Sequence, residues 1–185
     1  VVYGYARLVG YDEHLHLVPD ILESIDNADN RTFTLHWRPG HKWSDGQPFT
    51  SADFRYFWEN VANHKDLSPF GLPRALLVNN HGPKFEVPDA TTVRYSWDEP
   101  NPQFLTALAG PSPLFIYRPA HYLRQFHSRY VGLANANALA LAAGPRHWAG
   151  LQQKMDEEFR CANPHLPTPG PANHPPRQPV SSRPP

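Results

Sequence analysis

Two stretches of the chain alternate apolar and polar residues with a period of two, which is typical of half-buried strands. They cover residues 32–37 and 89–97. Their apolar positions are Phe33, Leu35 and Trp37 in the first stretch and Val93, Tyr95 and Trp97 in the second. We therefore predict two strands that each place one face in a hydrophobic core. Residues 1–9 are β-branched and aromatic, and they fit a strand or a short helix leading into one.

Residues 52–63 have the spacing of an amphipathic helix, because Phe54, Phe57, Trp58 and Val61 recur on one face. That face is predicted to lie in the core rather than to bind a cofactor. Shorter helices are predicted over residues 101–108, 119–127, 135–143 and 147–159.

The remaining stretches are less regular. Residues 114–117 form an apolar run that predicts a short strand, and the polar residues 26–30 predict a turn. Residues 76–87 fit no single element. From Cys161 onward the chain is rich in Pro and has no hydrophobic period. This divides it into a body, residues 1–160, and an extended or disordered tail, residues 161–185.

The composition of the chain argues against several classes of partner and of metal site. The 185 residues have a formal net charge of zero, so charge favours neither nucleic acid nor an anionic membrane as a partner. No apolar run approaches the roughly 18 residues of a membrane-spanning helix. Cys161 is the only cysteine, which excludes an internal disulfide and a paired-cysteine zinc site.

Residues 43–53 combine a tight turn with the start of a helix. Ser44-Asp45-Gly46 has turn chemistry, and Gly46 can adopt a positive φ. Thr50 or Ser51 can cap the following helix, and Asp53 lies three residues after Thr50, which is close to a capping box. Trp43 and Phe49 flank the turn and can pack on each other, and Pro48 precedes Phe49. Since each residue has a local structural task, we interpret this block as a structural motif rather than a ligand or metal site.

The same block carries a family resemblance. The string Gly40-His-Lys-Trp-Ser-Asp-Gly-Gln-Pro-Phe-Thr-Ser-Ala-Asp-Phe54 follows the alternating strand, and Pro119-Ala-His-Tyr-Leu occurs further along. Both resemble the family 5 solute-binding proteins of ABC importers, and the likeness runs from about Tyr3 to about Pro169. It implies an α+β subdomain of a two-lobed periplasmic binding protein (type II, cluster C-like). A mixed sheet with flanking helices and an irregular Pro-rich tail are expected. Such receptors are about three times longer, so we expect a fragment without the second lobe.

The resemblance also implies a function. Members of this family capture peptides or similar solutes outside the cytoplasmic membrane and deliver them to permease subunits of an ABC importer. We therefore expect a periplasmic or extracellular, membrane-associated protein that is not an enzyme and has no cofactor. Peptides are the expected cargo, although nickel, opine and oligosaccharide receptors share the scaffold. The alternatives are a stand-alone aromatic-rich binding module and a non-functional remnant.

Phe70 is the residue we expect to contact ligand. Ser68-Pro69-Phe70 resembles a loop on the cleft side of peptide-binding relatives, and a rigid aromatic side chain there could stack on peptide groups. The simpler alternative is a surface turn that packs on its own helix.

The histidines and hydroxyls do not form a convincing reactive site. His14 and His16 are two residues apart, and the six-residue spacing of His121 and His127 is wrong for one helix face. Ser112 and Ser128 lack the sequence context of a nucleophile. We therefore predict no metal site and no catalytic residues.

Overall fold

The computed structural model describes residues 7–110 and 114–157. The strands of this part are β1 (Val9–Tyr11), β2 (Leu17–Pro19), β3 (Leu22–Ala28), β4 (Thr32–Trp37), β5 (Lys84–Asp89) and β6 (Thr92–Ser96). The α-helices are α1 (Ser51–Tyr56), α2 (Phe104–Ala109), α3 (Ala120–Leu123), α4 (Ser128–Val131), α5 (Leu133–Ala143) and α6 (Trp148–Asp156). Helix α1 passes directly into a π-helix (Phe57–Ala62), and a 3-10 helix (Arg74–Leu76) precedes β5.

A four-stranded sheet in the order β3-β4-β6-β5 forms the centre of the fold, and β1 and β2 form a separate hairpin. Leu35 of β4 lies opposite Val93 of β6, so the two predicted strands are neighbours. The α+β class with flanking helices is as predicted. All strand pairs among the described residues are antiparallel, so this part contains no parallel pair of the kind a mixed sheet would have. Short connections enforce this for the β3–β4 and β5–β6 pairs, because a parallel pair needs a long crossover.

The turn between β3 and β4 is tighter than predicted. Asp29 and Asn30 have φ values of 52° and 55°, and the N–H of Arg31 donates to the carbonyl of Ala28 over 2.9 Å. Ala28 pairs with Thr32, so the loop has three residues, and its first two adopt the left-handed conformation that Asp and Asn tolerate. The prediction of a turn over all of residues 26–30 was therefore wrong at its start, because β3 continues through Ala28.

The alternating faces are buried as predicted. The side chains of Phe33, Leu35 and Trp37 meet those of Val93, Tyr95 and Trp97 in one core. Helix α1 and the π-helix lie across this face, within the stretch predicted to be one helix. The polar face of the sheet carries a cross-strand chain in which His36 contacts Asp26 over 3.0 Å and Thr92 over 3.2 Å.

Residues 114–117 do not form the predicted strand. The N–H of Leu114 donates to the carbonyl of Ala107 over 2.8 Å, and Ile116 and Tyr117 are buried. Their apolar character therefore reflects core packing rather than sheet pairing. Helix α2 begins at Phe104 rather than at Asn101, whose side-chain amide donates to the carbonyl of Ala75 over 3.0 Å.

The remaining helices follow the predictions unevenly. Helices α5 and α6 lie within two residues of the predicted 135–143 stretch and inside the predicted 147–159 stretch. Helix α3 is much shorter than residues 119–127, and α4 was not predicted. Residues 161–185, the predicted tail, lie outside the described residues. Among those described, no helix combines the length and hydrophobicity needed to cross a membrane.

Candidate functional site

The turn at residues 43–47 lies between Lys42 and Pro48, which form a β-bridge, and it precedes helix α1. The N–H of Trp43 donates to the carbonyl of Gln47 over 2.8 Å, and the N–H of Gly46 donates back to the carbonyl of Trp43 over 2.9 Å. Gly46 has a φ of 85°, the left-handed conformation predicted for it. The Asp45 carboxylate accepts from the N–H of Gln47 over 3.1 Å. Backbone geometry therefore holds the turn.

Asp53 is the central acceptor of this block. Its carboxylate accepts from the N–H of Thr50 (2.9 Å), the indole N–H of Trp43 (3.1 Å) and the N–H of Ala120 (3.0 Å). Thr50 and Asp53 form the capping box at the start of α1. Burial raises the pKa of Asp53, while the hydrogen bonds from Thr50, Ala120 and Trp43 and the nearby His121 oppose that rise. One carboxylate thus ties the turn, α1 and α3 together.

Aromatic rings pack around the same block. The ring of Trp43 lies 5.3 Å from that of Phe49, as predicted, and Phe49 lies 5.3 Å from Tyr117. Trp37 stacks on Phe54 with a centroid distance of 4.9 Å. Together with the burial of Asp53, these ring contacts make the block a packed junction.

The solvent side of the same turn carries Ser44, Asp45 and Pro48, all exposed. The Asp45 carboxylate lies 2.8 Å from Nε2 of His121 at the start of α3. This exposed contact joins the turn to α3 a second time. The sequence did not predict it, because the two residues are 76 positions apart.

Phe70 lies apart from this junction. Its side chain is 100% exposed and therefore is not packed on the helix that precedes it. The turn that presents it is ordered: the N–H of Gly71 donates to the carbonyl of Ser68 over 3.0 Å, and the Ser68 hydroxyl donates to the carbonyl of Val61 over 2.8 Å. The structure thus brings Trp43, Phe49, Thr50 and Asp53 together and leaves Phe70 free on a neighbouring loop.

A second buried polar cluster was missed by the sequence analysis. The Nε2 of His127 lies 3.2 Å from the carbonyl of Asn60, and the Asn60 side chain contacts Tyr130 and Arg129, each over 3.2 Å. Elsewhere, the Gln152 amide donates to the Tyr56 hydroxyl over 2.8 Å. These pairs join the π-helix and α1 to α4 and α6. Sequence spacing carries no signal for pairs 67 to 96 residues apart.

One crevice of the described part is too small for a peptide. This crevice of about 60 Å³, lined in part by His81, Trp97 and Glu99, has room for only a few water molecules. No three His, Cys, Asp or Glu side chains of the described part are grouped so as to hold a metal ion.

The sequence matches a known protein family and several of its members. Residues 16–147 match the sequence profile of the bacterial extracellular solute-binding proteins, family 5 Middle. The chain is 32% identical over 117 residues to the periplasmic murein peptide-binding protein MppA of Escherichia coli, a match covering 57% of the chain and 22% of MppA. It is also 32% identical over 119 residues to the periplasmic alpha-galactoside-binding protein of Rhizobium meliloti, covering 62% of the chain and 16% of that protein.

A solved structure of the oligopeptide-binding protein OppA superposes with a TM-score of 0.76 at 29% identity. The superposition covers 88% of this chain and 25% of OppA. The chain therefore spans about a quarter or less of the length of these relatives. The chain belongs to the bacterial extracellular solute-binding proteins of family 5, of which it carries the middle region.

Proposed function

We propose that this chain is part of the substrate-binding component of an ABC importer that captures peptides outside the cytoplasmic membrane. The observation that carries this proposal is the superposition on OppA over 88% of the chain, together with the family match over residues 16–147. MppA and OppA are named for binding murein peptide and oligopeptide. The chain itself supplies the outer subdomain of one lobe, with residues 1–160 as its body.

The proposed mechanism is capture without chemistry. Ligand binds between two lobes, a hinge closes, and the closed form docks on the permease subunits. Closure discriminates loaded from empty receptor, because a ligand shifts an equilibrium only as far as its affinities for the two states differ. The junction around Asp53 ties the turn, α1 and α3 together through buried hydrogen bonds, which supports a role as a structural part of the lobe. Phe70 supplies a rigid aromatic face on the loop that follows the π-helix.

An oligosaccharide is the second candidate cargo. The alpha-galactoside-binding relative is as similar in sequence as MppA is, and it matches slightly more of the chain. An exposed aromatic ring such as Phe70 can stack on a sugar as well as on a peptide group. The described residues do not favour one ligand over the other.

Calorimetric titration tests the proposal directly. Trialanine and stachyose would each be titrated into the full product of the coding region and into the 185-residue chain. We expect the full product to bind trialanine with a Kd in the micromolar range or below, and the chain alone to bind at least about 100-fold more weakly. Tight saturable binding by the chain alone would contradict the role as one part of a site, and stachyose binding without peptide binding would reassign the cargo.

Phe70→Ala in the full product tests the residue. We expect at least about a tenfold loss of affinity, since removing a stacked aromatic side chain costs about 1–3 kcal/mol of binding. Tyr11→Ala is the matched control, because Tyr11 is also an exposed aromatic but lies on the β1 strand. Equal losses in both variants would show that Phe70 has no specific contact.

A further inference from the structure

The strongest unused feature of the structure is the fully buried imidazole of His127, which is 0% exposed. The N–H of Arg129 donates to its Nδ1 over 3.1 Å, so Nδ1 is the acceptor and caps helix α4. The other nitrogen, Nε2, therefore carries the proton and donates to the carbonyl of Asn60 over 3.2 Å. A second proton on Nδ1 would break the cap, because two donors would then face each other.

The surroundings of this ring are mostly aromatic. The rings of His64, Tyr56, Tyr130 and Trp148 surround it at centroid distances of 4.8–6.1 Å. The charged group beside it is the cation Arg129, whose guanidinium has Glu59 at 3.4 Å on its exposed side. Burial lowers the pKa of His127, the hydrogen bond to Asn60 opposes this, and His64 and Arg129 lower it further.

His64 connects this cluster to the candidate ligand loop. Its ring packs edge-on against both His127 and Trp148, and its Nδ1 accepts from the N–H of Asp66 over 3.3 Å. Its carbonyl accepts the N–H groups of Leu67 (3.1 Å) and Ser68 (2.7 Å). The carbonyl of Ser68 in turn closes the turn that presents Phe70. The Phe70 loop (residues 64–71) is thus anchored at its start on the ring of His127.

We propose that His127 is an acid-sensitive latch, and that adding a proton to its ring releases the Phe70 loop from the helices behind it. The role of Phe70 rests on the proposed function, whereas the release itself does not. The neutral ring favours the closed loop at and above neutral pH. As the pH falls below about 6.5, the ordinary pKa of a solvated His, the open loop gains a proton that the closed one resists, and the closed state loses stability.

Amide hydrogen exchange of the unliganded 185-residue chain tests this proposal. We expect protection factors at Ser68 and Gly71 to fall several-fold between pH 7.5 and 5.5, with about tenfold as the limit for one titrating group. Amides of β4 exchange through global unfolding, which also exposes His127, so their protection should fall at least as much. Unchanged protection at Ser68 and Gly71 would overturn the proposal. NMR titration of the His127 ring should give the same midpoint as the loop transition.

His127→Asn separates the latch from general acid effects. Asn keeps an acceptor for the N–H of Arg129 but does not titrate, so the pH dependence of loop protection should shrink to within about twofold. His14→Asn is the matched control, since the His14 side chain is 71% exposed and distant in sequence, and it should keep the full response. A full response in His127→Asn would overturn the proposal. If that variant does not fold, the wild-type chain decides. The proposal is then overturned if the pH midpoint of the loop transition differs from the pH midpoint of the His127 ring titration.

The two proposals can fail separately. Loop exchange is measured without ligand, so a failed peptide titration leaves the latch standing and removes only its link to transport. A loop that ignores pH, in a receptor that binds peptide through Phe70, removes the latch alone.

Discussion

Two regions of the molecule provide hydrogen-bond partners for their buried polar groups in different ways. In the turn junction around Asp53, one carboxylate accepts three N–H groups, and two of the donors, Trp43 and Thr50, lie within ten residues of it. In the helical region formed by α3–α6 against α1 and the π-helix, the anchors are side-chain pairs such as Gln152 with Tyr56, 96 residues apart.

The two regions differ in how completely their buried polar groups are hydrogen-bonded. Both oxygens of Asp53 accept hydrogen bonds. Gln152 is as deeply buried, yet its Oε1 has no hydrogen-bond partner among the described residues. A charged acceptor with three N–H donors stabilises the fold more than a neutral amide bonded at one end does, because hydrogen bonds to ions are stronger. We expect the junction to be the more stable region and the helical region to open first.

Asp53→Ala should have the largest effect of the substitutions considered. It leaves three N–H donors without their acceptor, so we expect a loss of about 3 kcal/mol or more in the free energy of unfolding, measured by urea titration with circular dichroism. Asp45→Ala is the control on the same turn, because its contact with His121 is exposed and should contribute less than about 1 kcal/mol. Similar losses in both variants would contradict the central role of Asp53.

Tyr56→Phe tests the helical region and should cost about 1–2 kcal/mol. It removes the partner of the Gln152 amide and leaves that buried group unpaired. The double variant Tyr56→Phe with Gln152→Leu should recover most of the loss, because both polar partners are then gone. Tyr95→Phe is the matched control: the hydroxyl of Tyr95 is buried without a hydrogen-bond partner among the described residues, so its removal should be neutral or stabilising. Urea titrations of all three variants measure these changes in the free energy of unfolding.

Gly46→Ala should have the smallest effect, about 1 kcal/mol. A Cβ at Gly46 would have no atom within 4 Å, so the cost comes from its φ of 85° alone. Gly10→Ala is the control, because its Cβ site is equally open and its φ is not in the left-handed region. Thermal unfolding of both variants should separate them, and an equal shift in melting temperature would show that the turn tolerates a left-handed Ala.

Prediction from sequence succeeded where the deciding interactions are local. The capping box needs only Thr50 and Asp53, three residues apart, and the left-handed turn needs only Gly46. The alternating faces of β4 and β6 were likewise readable, because burial of one sheet face leaves a period of two in the sequence. At the candidate site, the order of the turn block was predictable, whereas the ligand role of Phe70 stays a prediction.

Prediction failed where a partner far along the chain decides. The apolar residues 114–117 pack in the core without pairing in the sheet, and the polar end of β3 is drawn into the sheet by β4. Residues 119–127 have the composition of one helix, yet α3 ends at Leu123 and His127 caps α4 instead.

The amino-acid sequence by itself determined the family, the junction motif and the faces of the central strands, because local geometry and hydrophobic period leave a direct trace in residue order. Only the tertiary structure decided that Asp53 receives the N–H of Ala120, that His127 is sealed against Asn60 and His64, and that the Phe70 loop is anchored there. These contacts depend on desolvation and on distances between elements up to 96 residues apart. Neither desolvation nor a distance between remote elements produces a periodic pattern or a fixed spacing of residues in the sequence.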